Sequence, residues 1–335
     1  MDQKFIKRIP KCELHLHIEG CLEPELMLRL AKRNGIRIRH ETLSEIRKAY
    51  HFGSLRTFLD VYYEGASVLR NAEDFYDLAM GYFIKAASQN VRHAEIFFDP
   101  QTHVHRGVPF DAVIEGLWEA SKEAKRKLDL SSYFILCFLR HLSGEAATET
   151  LRHALPHRKK IVGVGLDSYE VGHPPVKFRE VFTEARRLGF ETFAHAGEEG
   201  PASYIRDSLK HLKVRRIDHG IRSLDDRKLT RSLVTRKIPL TVCPLSNVKL
   251  GVFRKMEDHN LRKMLQAGLK VTVNSDDPAY FGGYVNENFL AAQKALKLTR
   301  DEIVTLVRNS FEASLLPEPR RRKLLREVDR YAAQE

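Results

Sequence analysis

Four short polar segments each close an apolar, strand-like run. They are His15-Leu16-His17, His195-Ala196-Gly197-Glu198, Asp218-His219-Gly220 and Ser275-Asp276-Asp277-Pro278. Such segments offer enough imidazole and carboxylate to hold one divalent ion, but only in a fold that gathers strand ends lying far apart in sequence. Eight strand-like runs follow in order, at 13–17, 91–99, 133–140, 161–168, 191–195, 216–219, 238–242 and 269–274. Most are short and apolar rather than strictly alternating, which suits strands buried on both faces.

Amphipathic, charge-rich segments of helical length lie between them, for example at 110–127, 177–188, 224–236 and 259–267. Gly189 and Gly268 follow two of these segments as helix stop signals. Eight strands alternating with helices predict an α/β fold, a (β/α)8 TIM barrel forming a single domain over 1–335. Such barrels take about 250 residues. The excess falls mostly at 20–90, a helical insertion after the first strand, and in extra C-terminal helices. The insertion contains a helix opened by Pro24 and closed by Gly35, then an aromatic-rich run over 52–69. Its place in the chain predicts a lid over the C-terminal mouth of the barrel.

Barrel enzymes carry their chemistry at the C-terminal ends of strands. All four polar segments fall there. His15 and His17 alternate onto one face of the first strand. Barrel closure sets the eighth strand beside the first, so His15, His17, His195 and Asp276 can share one ion. Imidazole and carboxylate suit zinc, which tolerates a fifth, water ligand and lowers its pKa. His219 and Asp277 are left to take and orient the water proton, and Glu198 is left as a proton donor to a substrate ring nitrogen. A second H-x-H pair, His103-Val104-His105, reads as surface or packing, because a proline and a polar turn separate it from its strand.

The chain has 335 residues, 43% of them apolar, and a formal charge of +12. The positive residues are scattered apart from Arg320-Arg321-Arg322-Lys323, which reads as a solvated helix face without interleaved aromatics. A nucleic-acid partner is therefore not expected. Nor is a membrane, since the most apolar stretch, 133–139, is far too short to span one. The four cysteines form no C-x-x-C pair and suggest a reducing, cytoplasmic setting. Homo-oligomerisation is left open.

The set H-x-H, H-A-G-E, D-H-G and S-D-D-P resembles the adenosine/adenine/AMP deaminase family of the amidohydrolase superfamily, over about residues 10–310. The resemblance implies one zinc ion per chain, on His15, His17, His195 and Asp276. It implies Glu198 as proton donor, His219 as the histidine that orients hydroxide and Asp277 as the contact to purine N7. It further implies attack on the purine carbon that bears the amino group, with loss of ammonia. The fourth strand ends in Leu166-Asp167-Ser168, with no lysine for a bridging carbamate, which favours a mononuclear site.

Within the family, the segments at 93–103, 58–63 and 165–168 resemble the adenine deaminase subgroup. The implied substrate is adenine, and Glu19, Asp99 and Ser168 join Asp277 as candidate substrate-binding residues. Glu19 stands where adenosine deaminases usually carry an aspartate facing ribose, and its longer side chain is expected to fill sugar space. Tyr169 and Cys21 depart from the subgroup pattern near the expected pocket. Adenosine, an N6-substituted adenine or another aminopurine such as aminodeoxyfutalosine are the alternative substrates.

Overall fold

The computed structural model describes residues 3–334. Eight parallel strands run in sequence order: β1 Lys11–Glu13, β2 Val91–Phe98, β3 Ser131–Leu139, β4 Ile161–Asp167, β5 Glu191–Ala196, β6 Arg216–His219, β7 Pro239–Val242 and β8 Lys270–Val273. Each pairs with the next, and helices fill the connections. This is the (β/α)8 barrel.

The barrel closes between β8 and the stretch just after β1. The Asp276 N–H donates to His15 O at 3.2 Å and the His17 N–H to Asp276 O at 3.0 Å. On the other side, the Phe97 N–H donates to Leu16 O at 2.8 Å and the Ile18 N–H to Phe97 O at 3.0 Å. Residues 14–18 thus bond alternately to β8 and β2. The regular strand therefore ends at Glu13, earlier than the apolar pattern predicts, although bridges continue at Leu16 and His17.

The barrel lumen is packed. Phe97, Ile135, Cys137 and Phe193 form their own buried cluster beneath the strand ends. The Arg216 guanidinium lies 4.4 Å from the Phe193 ring centroid. It donates to Glu95 Oε2 at 2.6 Å, to Asp218 Oδ1 at 3.3 Å and to Leu14 O at 2.8 Å. A buried cation is tolerated here because its donors meet carboxylates and a carbonyl.

Four helices lie between β1 and β2: Pro24–Asn34, Leu43–Ala49, Leu55–Ala66 and Ala72–Ser88. Pro24–Asn34 has proline at its first turn and ends on Gly35 at φ 61°. Gly189 and Gly268 also take left-handed φ values, 83° and 82°. The aromatic run folds into Leu55–Ala66, capped by the Ser54 hydroxyl on the Thr57 N–H, and it buries Leu55, Phe58, Leu59 and Tyr62.

Two helix starts differ from the amphipathic pattern because side chains cap them. Asp226 accepts from the Lys228 and Leu229 N–H groups, so the helix runs Arg227–Arg236 rather than from 224. The His259 ring accepts the Leu261 N–H, so the next begins at Leu261. Val285–Leu296, Arg300–Ala313 and Glu318–Gln334 all follow β8, more than the one helix that a barrel strand needs, so the C-terminal end carries extra helices. Among the described residues, no helix is long and apolar enough to cross a membrane.

Burial raises the Glu95 carboxyl, but Arg216, His93 and the Leu315 N–H together outweigh it and bring the pKa to about 2. A folded pKa below the ordinary 4.5 means that the pair stabilises the fold above that pH and loses its effect as pH falls toward 2. Arg216→Leu is expected to destabilise the protein at pH 7 by about 3–5 kcal/mol, because Glu95 is left buried without its guanidinium partner. Urea unfolding checks this, and a loss below about 1 kcal/mol would contradict it.

Candidate active site

The histidine rings take their orientation from groups behind them. The Thr241 hydroxyl donates to Asp218 Oδ1 at 2.8 Å, so at 2.9 Å from His15 its oxygen accepts from Nδ1–H. His195 Nδ1–H donates to Leu166 O at 3.1 Å. Both rings therefore present a bare Nε2 to the strand ends. His17 Nδ1 faces Asp167 Oδ2 at 3.5 Å, and its Nε2 comes within 3.1 Å of His195 Nε2. Asp276 Oδ1 lies 3.2 Å from His15 Nε2 and 3.6 Å from His17 Nε2.

This donor set fits a metal ion. His15 Nε2 is buried with no well-formed hydrogen bond. Ring nitrogens about 2.0–2.1 Å from one zinc ion lie roughly 3 Å apart, which is the spacing of His17 and His195. Donor atoms of His15, His195, His219 and Asp276 lie within 4.8 Å of one another, whereas His17 groups with Asp99 and Asp167 by the same measure. The contacts of His17 with His195 and Asp276 place it with the first group as well. His219 Nε2 stands 3.7 Å from Asp276 Oδ2 and 3.5 Å from Glu198 Oε2.

The imidazoles and carboxyls shift one another. Burial opposes the charge on Asp276, yet His15, His219 and His17 together hold its carboxyl well below the usual range. Burial, then the other imidazoles, pushes His195 far down. Burial, then His15, brings His219 to about 3. Glu198 moves up, first through burial and then through Asp276. Asp277 rises for the same two reasons.

A cavity of about 410 Å³, mouth included, opens above this cluster. His17, His195, His219 and Asp276 line it, with Asp99, Asp167, Ser168, Glu198 and Asp277. The insertion contributes Leu55, Phe58, Leu59, Tyr62 and Tyr63. Glu198 Oε1, Asp277 Oδ1, Asp99 Oδ1 and Asp167 Oδ1 are buried without hydrogen-bond partners. Ser168, His219 and Asp276 take left-handed φ values of 73°, 62° and 64°. Each such conformation costs a non-glycine residue about 1–3 kcal/mol, and such strain concentrates at functional sites.

Glu19 is behind this wall rather than on it. The turn Glu19–Cys21 aims its carboxylate at the Asp99 N–H, 3.1 Å, and at His103 Nε2, 2.9 Å. His103 is thus packing, as its sequence context predicts. Glu19 supports Asp99, whose own carboxyl meets the Tyr62 hydroxyl at 3.3 Å. Burial, then Glu19, raises Asp99 to about 7. Cys21 and Tyr169 are not among the cavity-lining residues. Cys21 is buried with its thiol toward His17 O, and Tyr169 packs its ring on His141.

Sequence reasoning missed Asp167 as a wall residue and missed the supports of the H-A-G-E turn. Glu170 Oε1 accepts the Gly197 N–H at 2.6 Å, and its Oε2 accepts the N–H groups of Glu198, Glu199 and Gly200 at 3.0, 3.0 and 2.8 Å. Arg140 Nη1 donates to His195 O at 2.8 Å. A lone glutamate after a strand carries no spacing signal. The only hint was two glycines flanking Glu198-Glu199, a loop rich in free N–H groups.

The fold and this buried histidine–aspartate group define an amidohydrolase-type barrel. The family model described as adenosine deaminase matches residues 10–331. The chain is 56% identical over 329 residues to adenine deaminase from Hahella chejuensis, covering 98% of each chain. It is similar to the crystal structure of adenine deaminase from Arthrobacter aurescens, with TM-score 0.96 and 46% identity over 97% of this chain and 99% of that one. An amidohydrolase from Burkhoderia ambifaria with bound zinc superposes with TM-score 0.90 at 26% identity, over 99% of this chain and 94% of that one. The chain belongs to the adenosine deaminase family, and it is a hydrolytic deaminase.

Gly20 packs directly on Asp277. A Cβ at position 20 would come within 2.1 Å of Asp277 Oδ1 and 2.6 Å of its Cα. Gly20→Ala must therefore displace Asp277. Misplacement of about 1 Å can cost on the order of 10²-fold in rate. We expect a loss of that size in kcat/KM with an unchanged far-UV circular dichroism spectrum. Wild-type kinetics in the variant would show that the position of Asp277 is not critical.

Proposed function

We propose that the protein converts adenine and water to hypoxanthine and ammonia. The observation that carries this reading is its near-full-length likeness to the adenine deaminase of Hahella chejuensis. The site geometry supports the chemistry. His15, His17, His195 and Asp276 would hold one zinc ion, in keeping with the zinc-bound relative. Zinc there supplies the Lewis acidity that makes a water molecule nucleophilic near neutral pH.

The residues of the chain do the rest. Burial, the larger cause, and then Asp276 favour the protonated form of Glu198. It donates that proton to N1 of the base, which makes the neighbouring carbon electrophilic. His219 stands between Glu198 and Asp276 and orients the water for attack on that carbon. Asp277, itself pushed toward its protonated form, faces N7. The water oxygen bonds to the carbon, one water proton passes to the amino group and the other restores Glu198, and the carbon–nitrogen bond breaks to release ammonia.

Asp99, supported by Glu19, and Ser168 are the remaining candidate contacts to the base. Ser168 Oγ is held by the Tyr63 hydroxyl at 3.1 Å and His141 Nδ1 at 2.9 Å. The 20–90 insertion acts in this reading as the lid, through Leu55, Phe58, Leu59 and Tyr62. A cavity of this size above the strand ends favours a small base over a polymer.

A steady-state panel of adenine, adenosine, N6-substituted adenines and aminodeoxyfutalosine tests the substrate. The expected order puts kcat/KM for adenine first, and a higher value for any other member would overturn the assignment. Glu198→Gln tests the acid. It is expected to retain the metal and lose about 10²–10⁴-fold in kcat, the usual worth of a positioned acid. Near-normal turnover would remove Glu198 from that role.

A further inference from the structure

His219 reaches the site through Nε2, but its other ring nitrogen opens a hydrogen-bond chain that ends on the backbone. The Leu261 N–H lies 3.0 Å from His259 Nδ1. His259 Nε2 lies 3.2 Å from Asn247 Oδ1. Asn247 Nδ2 lies 3.3 Å from His219 Nδ1. Asn247 and His259 are both buried, and neither lines the cavity.

One fixed donor sets the direction of the whole chain. A backbone N–H can only donate, so His259 Nδ1 accepts. Burial brings the His259 imidazolium to about 3, so its ring is neutral at pH 7 and carries its proton on Nε2. That proton needs an acceptor, which turns Asn247 Oδ1 toward His259. The Asn247 amide NH2 then faces His219. An amide NH2 cannot accept, so His219 Nδ1 is bare and the ring proton sits on Nε2, facing the site.

We propose that Asn247 and His259 are positioning residues that lock His219 in its Nε2–H tautomer, so that it donates to the attacking water. The helix Pro244–Lys249 and the turn before Leu261 thereby act on a ring neither touches through the cavity. The proposal rests on the reading of His219 as the group that orients that water.

Nitrogen-15 NMR of histidine-labelled, zinc-loaded protein reads the tautomer directly, with His219 assigned by difference from a His219→Gln sample. The expected spectrum shows a bare Nδ1 and a protonated Nε2. A protonated Nδ1 in the wild type would overturn the proposal without any further variant. Asn247→Asp offers His219 only an acceptor and is expected to move its proton to Nδ1. A wrong tautomer costs up to about 10⁴-fold in a serine protease, so we expect kcat to fall at least about 10²-fold with KM within about threefold.

His259→Gln keeps an acceptor for Leu261 and a donor for Asn247, whereas His259→Phe keeps neither. The first is expected to hold kcat within about threefold and the second to lose at least about tenfold. Equal rates in the two, or an unchanged tautomer in Asn247→Asp, would overturn the proposal. Adenine turnover by the wild type and its loss in Glu198→Gln, measured in parallel, test the substrate reading separately.

Discussion

Two backbone hydrogen bonds govern this site. The Asp276 N–H to His15 O and the His17 N–H to Asp276 O join the last strand end to the first. They put Asp276 between the two histidines and set its carboxylate 3.2 and 3.6 Å from their Nε2 atoms. A barrel that failed to close there would leave the imidazoles after β1 and the carboxylate after β8 on separate edges. The lumen below enforces the closure, because Arg216 ties Leu14 O to Glu95 and Asp218.

The same closure explains why so much polar chemistry tolerates burial. His15 and His195 each have one nitrogen spent on a fixed partner, so the other is free to face the centre. The strain of three left-handed residues at the strand ends is held by packing and hydrogen bonds around them. The H-A-G-E turn would expose four N–H groups inside the protein, and Glu170 satisfies all four with one carboxylate. A buried carboxylate with several N–H donors is a stable and rigid arrangement. Glu198 thereby has a rigid backbone even though its own carboxyl is left unpaired on one side.

The barrel was legible in the sequence because its strands are short apolar runs ending in polar segments. Seven of the expected runs lie within two residues of the observed strands. The first was misplaced because residues 14–18 alternate between two neighbours, a pattern that side-chain periodicity does not encode. The cluster of His15, His17, His195, His219, Glu198, Asp276 and Asp277 was legible because those residues sit in short motifs at strand ends. Glu19 was visible as an unusual residue, but its direction was not. A carboxylate in a tight turn can face either the cavity or the protein, and here the Asp99 N–H and His103 capture it. Asp167, Glu170, Asn247 and His259 were invisible because none sits in a motif and each reaches the site through groups distant in sequence.

The central claim is that His15, His17, His195 and Asp276 share one divalent ion. Anomalous diffraction at the zinc edge, from crystals of the purified protein, tests it most directly. The account predicts a single strong peak bonded to three imidazole nitrogens and the Asp276 carboxylate, with His219 outside bonding distance. Two peaks at the strand ends, a peak ligated by His219 in place of His17, or a fully loaded protein with no peak there would contradict it.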